Sequence, residues 1–161
     1  MAEDKQEMKI TRIENGTVID HIAPGSALKV FEILGLGEED ENAITIAIRV
    51  DSEKMGEKDL LKVEDRFLTP TESAMISLIS PEATINLIRS FQVESKDIVQ
   101  LPEKLEGIFN CSNPNCITNQ EREPVETRFE VTEEDPLSVR CLYCDNLMNE
   151  EEITNQLLQS S

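Results

Sequence analysis

Hydrophobic spacing in the first hundred residues alternates between the periods of strands and helices. Lys9–Ile13 and Thr17–His21 flank an Asn-Gly dipeptide, which is typical of tight turns, and together they predict a β-hairpin. Pro24–Leu34 predicts a helix, because its apolar residues recur at helical spacing and Gly35 follows them.

The same pattern continues up to about residue 94. Alternating apolar residues predict four more strands: Ala43–Val50, Asp59–Arg66, Ala83–Ile88 and Phe91–Glu94. A second helix is expected at Pro70–Ile79, with Thr69 as its N-cap. This order predicts an α+β domain of the ferredoxin-like kind, in which two helices cover one face of a largely antiparallel sheet.

The composition changes near Lys96, and residues 97–104 contain Pro102 and little periodicity. We interpret this stretch as a linker, which predicts two domains, 1–100 and 101–161. Beyond the linker, short alternating runs such as Thr127–Thr132 predict a small all-β domain. A capping-box pattern that begins at Asn149 predicts a terminal helix at Glu150–Gln159.

Charge narrows the range of partners. The chain carries 33 acidic against 15 basic residues, a formal net charge of −18. Nucleic-acid binding and adsorption to anionic membranes both need clustered Lys and Arg, so neither partner is expected. No apolar run approaches the roughly 20 residues of a membrane span. The polar, acidic start of the chain is unlike a secretory signal, so a cytoplasmic location is expected.

Four cysteines form two pairs in the last third of the chain: Cys111, Cys116, Cys141 and Cys144. Two tight turns, each offering two thiolates, are typical of a structural zinc site with one Zn²⁺ per chain. Disulfides conflict with the expected compartment, and a redox site needs only one pair. A catalytic metal is not expected, since four thiolates leave no open coordination position. An iron site of the rubredoxin kind remains possible.

Candidate ligand-binding residues occur in the first domain. Asp20 could accept hydrogen bonds from ribose hydroxyls, and His21, the one histidine of the chain, could donate to a phosphate. Lys62 and Lys96 are each more often solvated side chains when judged by spacing alone. The sequence contains no glycine-rich phosphate loop of the standard patterns.

Several strings of residues resemble one known family. Gly16–Ile22 reads Gly-Thr-Val-Ile-Asp-His-Ile, and it resembles the regulatory chain of aspartate carbamoyltransferase. The resemblance extends over roughly residues 9–148 in unbroken order, and five further strings support it: Ile44–Ile46, Met55–Glu64, Pro81–Asn86, Leu101–Glu103 and Asn113–Ile117.

The resemblance implies a non-catalytic subunit. By the same resemblance, two such chains are expected to pair through their N-terminal domains, and three pairs to link two catalytic trimers. CTP, often with UTP, is expected to inhibit at the N-terminal site, and ATP to activate by competing there. The zinc-bound turns would carry Asn113, Asn115 and Asp145 to the catalytic chain.

The resemblance also implies a set of nucleotide-contacting positions. Lys62 matches a lysine near the base and ribose, and Lys96 matches a lysine at the triphosphate. The full set is Ile13, Asp20, His21, Lys58, Lys62, Asn86, Phe91, Val93 and Lys96.

The sequence departs from the family pattern at Thr11 and Arg12, at Phe91 in place of a tyrosine, and beyond Met148. Thr11 and Arg12 lie beside the expected base pocket, so they bear on which nucleotide activates or inhibits. Two alternatives remain open: a zinc-ribbon interaction module of a different complex, and a small metal-dependent enzyme. Net charge argues against a nucleic-acid target for the first. The second lacks paired carboxylates or a Ser-His arrangement.

Overall fold

Alternating hydrophobic residues of the first hundred positions form a five-stranded sheet in the computed structural model, which describes residues 13–37, 41–122 and 125–159. All neighbouring strands are antiparallel, in the order β2-β3-β1-β4-β5. The strands are β1 (Gly16–Ile22), β2 (Ile44–Ser52), β3 (Gly56–Glu64), β4 (Thr84–Arg89) and β5 (Gln92–Ile98).

Two helices, α1 (Ala27–Ile33) and α2 (Pro70–Ile79), pack with the sheet around one core. Val30 of α1 and Ile76 of α2 are fully buried in the cluster that also contains sheet residues such as Leu61. Burying the apolar face of each element against the other is what selects this layered arrangement. The predicted α+β fold is therefore confirmed.

The N-terminus of α2 forms the predicted cap. The Thr69 hydroxyl accepts from the backbone N–H of Glu72 at 3.1 Å, and the Glu72 carboxylate accepts from the backbone N–H of Thr69 at 3.0 Å. These two hydrogen bonds form a capping box, which satisfies backbone donors that the helix itself cannot pair.

The predicted N-terminal hairpin is wrong for Thr17–His21, because β1 already has a neighbour on each edge. Thr17 pairs with Val63 of β3 on one side and with Leu87 of β4 on the other. A strand has two hydrogen-bonding edges, so Thr17–His21 belongs to a central strand of the sheet; residues 9–12 of its predicted hairpin partner lie outside the described residues.

Three element boundaries differ from the predicted ones by three residues or more. Helix α1 begins at Ala27 rather than at Pro24, and β3 begins at Gly56 rather than at Asp59. Strand β5 continues to Ile98, into the predicted linker, because Ile98 pairs with Thr84 of β4. Cross-strand pairing extends strands into polar segments that the hydrophobic pattern alone leaves unassigned.

The chain divides into two compact units, residues 1–99 and 100–161. The second contains a four-stranded antiparallel sheet in the order β6-β7-β8-β9, a 3₁₀ turn at Ile117–Asn119 and the predicted terminal helix α3 (Glu150–Gln159). Its strands are β6 (Lys104–Glu106), β7 (Arg128–Glu134), β8 (Leu137–Cys141) and β9 (Leu147–Asn149). In its core the rings of Phe109 and Phe129 stack with centroids 4.5 Å apart.

Among the described residues, no helix is both long enough and apolar enough to cross a membrane.

Candidate functional site

The four cysteines of the second unit come together at one point. Their sulfur atoms all lie within 4.8 Å of one another, and the Sγ–Sγ distances of the Cys111–Cys144 and Cys116–Cys141 pairs are both 3.7 Å. A disulfide needs about 2.05 Å between its sulfurs, so these thiols are free. A cation bound tetrahedrally at about 2.3 Å from each sulfur requires about 3.8 Å between sulfurs, and the cluster matches that spacing.

Hydrogen bonds directed at sulfur prepare the cluster for a cation. The Thr118 hydroxyl lies 3.2 Å from the sulfur of Cys116, and the Asn146 amide lies 3.8 Å from that of Cys111. The Asn119 side chain holds the first cysteine turn by donating to the carbonyls of Cys111 and Asn113, at 3.0 and 2.7 Å. Such partners orient ligands and stabilise thiolates.

The thiols differ in how readily they lose a proton. Burial raises the pKa of Cys111 to about 12, and burial likewise raises the pKa of Cys141. Burial also opposes ionisation of Cys144, but hydrogen bonds from Asn146 and Asn113 and from neighbouring thiols lower its pKa to about 7. Because a thiolate, not a thiol, is the ligand, a bound cation must displace protons from the buried cysteines.

A second group of predicted residues lies on the face of the five-stranded sheet that the helices leave uncovered. Lys62 is opposite Val18, Val18 is opposite Asn86, and Asn86 is opposite Lys96. Directly opposite residues of antiparallel strands share a face, so these four form one row. Ile19 and Leu61 point the other way into the helical core. The register therefore brings Lys62, Asn86 and Lys96 onto one surface.

Asp20 lies on that surface because it is two residues from Val18, and a β-bulge adds His21. The pairing of β1 with β3 shifts between Ile19 and Ile22, and His21 has a φ of 56°. In a regular strand His21 would point to the face opposite that of Asp20, but the bulge turns it toward the same side. Asp20 pairs with Thr84 across β1 and β4, and the His21 Nδ1 atom lies 3.2 Å from the Thr84 hydroxyl oxygen.

Asp20 already has hydrogen-bond partners within the chain. One carboxylate oxygen lies 2.7 Å from the backbone nitrogen of His21 and 2.8 Å from the Lys58 ammonium. The three side chains are between 17 % and 21 % exposed. The ion pair is thus partly buried, and it fixes the orientation of the Asp20 carboxylate.

The surroundings of His21 include a further lysine, Lys54, that the sequence pattern missed. Burial lowers the pKa of His21; Asp20 acts against this, and the positive charges of Lys58, Lys54 and Lys96 add to the lowering. Lys54 lies in the turn between β2 and β3. Thr84, 3 % exposed, was also missed. Neither residue has a spacing signal, since only the register of the sheet brings them near His21.

Three predicted nucleotide residues lie apart from this row. Ile13 precedes β1 and is buried, with 6 % exposure. Phe91 is exposed in the β4–β5 turn, has a φ of 64° and donates its backbone N–H to the carbonyl of Glu14 at 2.9 Å. Val93 is exposed on β5, opposite Ile88, which is two residues from Asn86 on β4, so Val93 lies on the same uncovered face but beyond the row. With Val93 further along the same face, the structure thus brings six of the nine predicted residues close together: Asp20, His21, Lys58, Lys62, Asn86 and Lys96.

Comparison with known proteins gives matches to both units. Residues 8–100 match the family model of the aspartate carbamoyltransferase regulatory chain, allosteric domain, and residues 103–154 match that of the metal binding domain of the same chain.

Three relatives, each named aspartate carbamoyltransferase regulatory chain, align with nearly the whole sequence. The relative from Korarchaeum cryptofilum is 47% identical over 153 residues, which is 95% of this chain and 98% of the relative. That from Pyrococcus abyssi is 49% identical over 152 residues, 94% and 99% of the two chains. That from Thermoplasma acidophilum is 45% identical over 149 residues, 92% and 98%.

The two matched domains agree with the cysteine cluster of the second unit and with the α+β fold of the first. By this similarity the chain belongs to the family of aspartate carbamoyltransferase regulatory chains, whose members are regulatory rather than catalytic subunits.

Proposed function

We propose that this chain binds the nucleotides CTP, UTP and ATP on the uncovered face of its first unit and transmits the binding to catalytic chains held by its second unit. The observation that carries the first part is the grouping of lysines in a chain of net charge −18. Lys58, Lys62 and Lys96 come from two strands of one sheet face. A local basic surface on an acidic protein favours a small polyanion.

The spacing within the row suits an elongated ligand. Lys62 and Lys96 are separated by three strand intervals, which at about 4.8 Å each is about 14 Å. They would therefore contact opposite ends of a nucleotide, with Lys62 near the base and ribose and Lys96 at the triphosphate. Asp20 is placed between them to accept from ribose hydroxyls, with Lys58 beside it.

Calorimetry with the full chain tests the nucleotide site. Lys62→Ala and Lys96→Ala should each weaken CTP and ATP binding by tenfold to a hundredfold, since a hydrogen bond to a charged group contributes about 1.5–3 kcal/mol. Lys29→Ala is the matched control, because Lys29 is an exposed lysine on α1, which packs on the other face. Equal affinities in wild type and both variants would count against this surface.

Zinc is the proposed occupant of the cysteine cluster, at one ion per chain. Tetrahedral sulfur coordination without an open position is the usual structural zinc site. Elemental analysis of the purified chain should give one Zn²⁺ per polypeptide, and a stoichiometric iron content would overturn this assignment.

The cation would also hold the surface that meets the catalytic chain. Ile117 directly follows Cys116, Tyr143 lies between Cys141 and Cys144, and both side chains are exposed, by 42% and 41%. Exposed apolar side chains beside polar turn residues such as Asn115 suit a protein interface. Removing the metal should therefore abolish association with the catalytic chain.

We further propose that two copies pair through their first units, which supports linking of catalytic trimers into one cytoplasmic assembly. The sheet ends in two edge strands, β2 and β5, and each exposes an apolar residue, Ile48 at 45% and Val93 at 59%. Exposed strand edges readily add a further strand. Co-expression with the catalytic chain, followed by measurement of the complex mass, tests the assembly. A regulatory chain that remains monomeric and unbound would contradict it.

A further inference from the structure

Asp59 is a fully buried carboxylate, 0 % exposed, in the middle of β3. Its two oxygens accept three backbone N–H groups: one oxygen accepts from Gly25 at 2.8 Å and from Ala27 at 2.9 Å, and the other accepts from Arg49 at 2.9 Å. Burying a charge is costly unless hydrogen bonds compensate it, so three short bonds indicate a position that requires a carboxylate.

The donors belong to two segments that are distant in sequence. Gly25 lies in the connection from β1 to α1 and Ala27 is the first residue of α1; Ser26 between them, the formal N-cap residue, makes no capping hydrogen bond with its side chain. Asp59 therefore supplies the cap from a neighbouring strand. Arg49 lies in β2, where the pairing with β3 shifts between Ala47 and Val50.

Both bulges beside the proposed nucleotide site thus flank the same short stretch of β3. The β1 bulge ends where Ile22 pairs with Asp59, and it contains His21 with a φ of 56°. The β2 bulge contains Arg49, also with a φ of 56°. Left-handed backbone at a non-glycine residue persists only where the surroundings hold it. The Asp59 carboxylate bonds directly to one bulge and to the segment that follows the other.

Lys58, the residue before Asp59, places its side chain on the opposite face of the sheet. The Lys58 ammonium lies 2.8 Å from the Asp20 carboxylate, on the face that carries Lys62 and Lys96. Successive side chains of a strand point to opposite faces. Asp59 and Lys58 are adjacent in β3, so a shift of the backbone at Asp59 also moves Lys58 on the ligand face.

We propose that Asp59 is a positioning residue of the nucleotide site: by fixing the β1–α1 connection and the β2 bulge, it sets the placement of Asp20, His21 and Lys58. This inference rests on the proposed nucleotide function. A residue that only stabilised the fold would change the Tm and leave the nucleotide affinity of the folded protein unchanged. A positioning residue changes the affinity itself.

Asp59→Asn in the full chain tests the inference, because asparagine keeps the shape but has one acceptor oxygen in place of two. The single oxygen of asparagine can accept either from Gly25 and Ala27 or from Arg49. Its NH₂ group, a donor, then faces the remaining backbone N–H, and that hydrogen bond is lost. Well below the Tm, with folding verified by circular dichroism, calorimetry should show CTP and ATP affinities weakened by about tenfold, equivalent to one charge-assisted hydrogen bond. Glu82→Gln is the matched control, since it removes an exposed carboxylate from the α2–β4 turn.

Unchanged affinity in folded Asp59→Asn would overturn the inference while leaving the nucleotide site intact. Absence of nucleotide binding to the wild type would instead overturn the site itself. If Asp59→Asn does not fold, amide hydrogen exchange in the wild-type chain decides the question. Saturating CTP should slow exchange at Gly25, Ala27 and Arg49 if the site and these bonds are coupled. Equal exchange rates with and without CTP would overturn the inference.

Discussion

Acidification is expected to weaken metal binding by the four cysteines steeply, by about 100-fold for each pH unit between about pH 8 and about pH 7. In the metal-free chain, burial raises the pKa of Cys111 to about 12 and also raises that of Cys141. Both thiols therefore carry protons throughout this range, and they would also be mainly protonated in an unfolded metal-free unit, where the ordinary cysteine pKa is about 8.5. The cation binds thiolates, so at least two protons must leave when it binds.

The size of the effect follows from the number of displaced protons. Each proton changes the binding constant tenfold per pH unit, so two protons give about 100-fold, or about 2.7 kcal/mol. Cys144, with a pKa of about 7, is largely ionised near pH 8 and adds a third proton below about pH 7. The plot of log affinity against pH should therefore have a slope of at least two near pH 8 and become steeper in acid.

Competition between the full chain and a chromophoric chelator of known affinity measures this slope. The titration with Zn²⁺ is repeated at several pH values and constant ionic strength, and the chelator alone supplies the correction for its own protonation. A slope below one would refute the reasoning. It would mean that the sulfurs are already thiolates without a metal, or that they are not the ligands.

Three further predictions concern the two units. Cys116→Ser should unfold the second unit and leave the first intact, as judged by loss of only its NMR resonances, because the cluster then lacks one of four ligands. Thr69→Ala should destabilise the first unit by about 1 kcal/mol in thermal denaturation, since it removes the capping box of α2. Burial lowers the pKa of His21 in the folded chain, so the unfolded chain binds this proton first and stability falls as the pH drops below the ordinary histidine pKa. His21→Gln should make that fall smaller, and an equal fall in both proteins would contradict it.

Elements with local signals were predictable from the order of amino acids alone. Helix α2 and its Thr69 cap, the terminal helix after Asn149, and most of the strands could be predicted from periodicity and capping residues. The cysteine spacing likewise predicted a cluster, because two short turns constrain where their four sulfurs can lie. The helices, their caps and each cysteine turn depend on residues a few positions apart, within the range over which backbone geometry is set by the local chain.

Which segments become neighbours depends on contacts between distant parts of the chain. The predicted hairpin was wrong because β3 and β4, from distant parts of the chain, occupy both edges of β1. The row from Lys62 to Lys96, the bulge that aims His21 and the burial of Asp59 between two segments depend on the same register. Register is fixed by packing of one sheet face on the helices, and a shift of one residue would turn every side chain to the other face. That choice is made by the whole core, and no short stretch of sequence contains it.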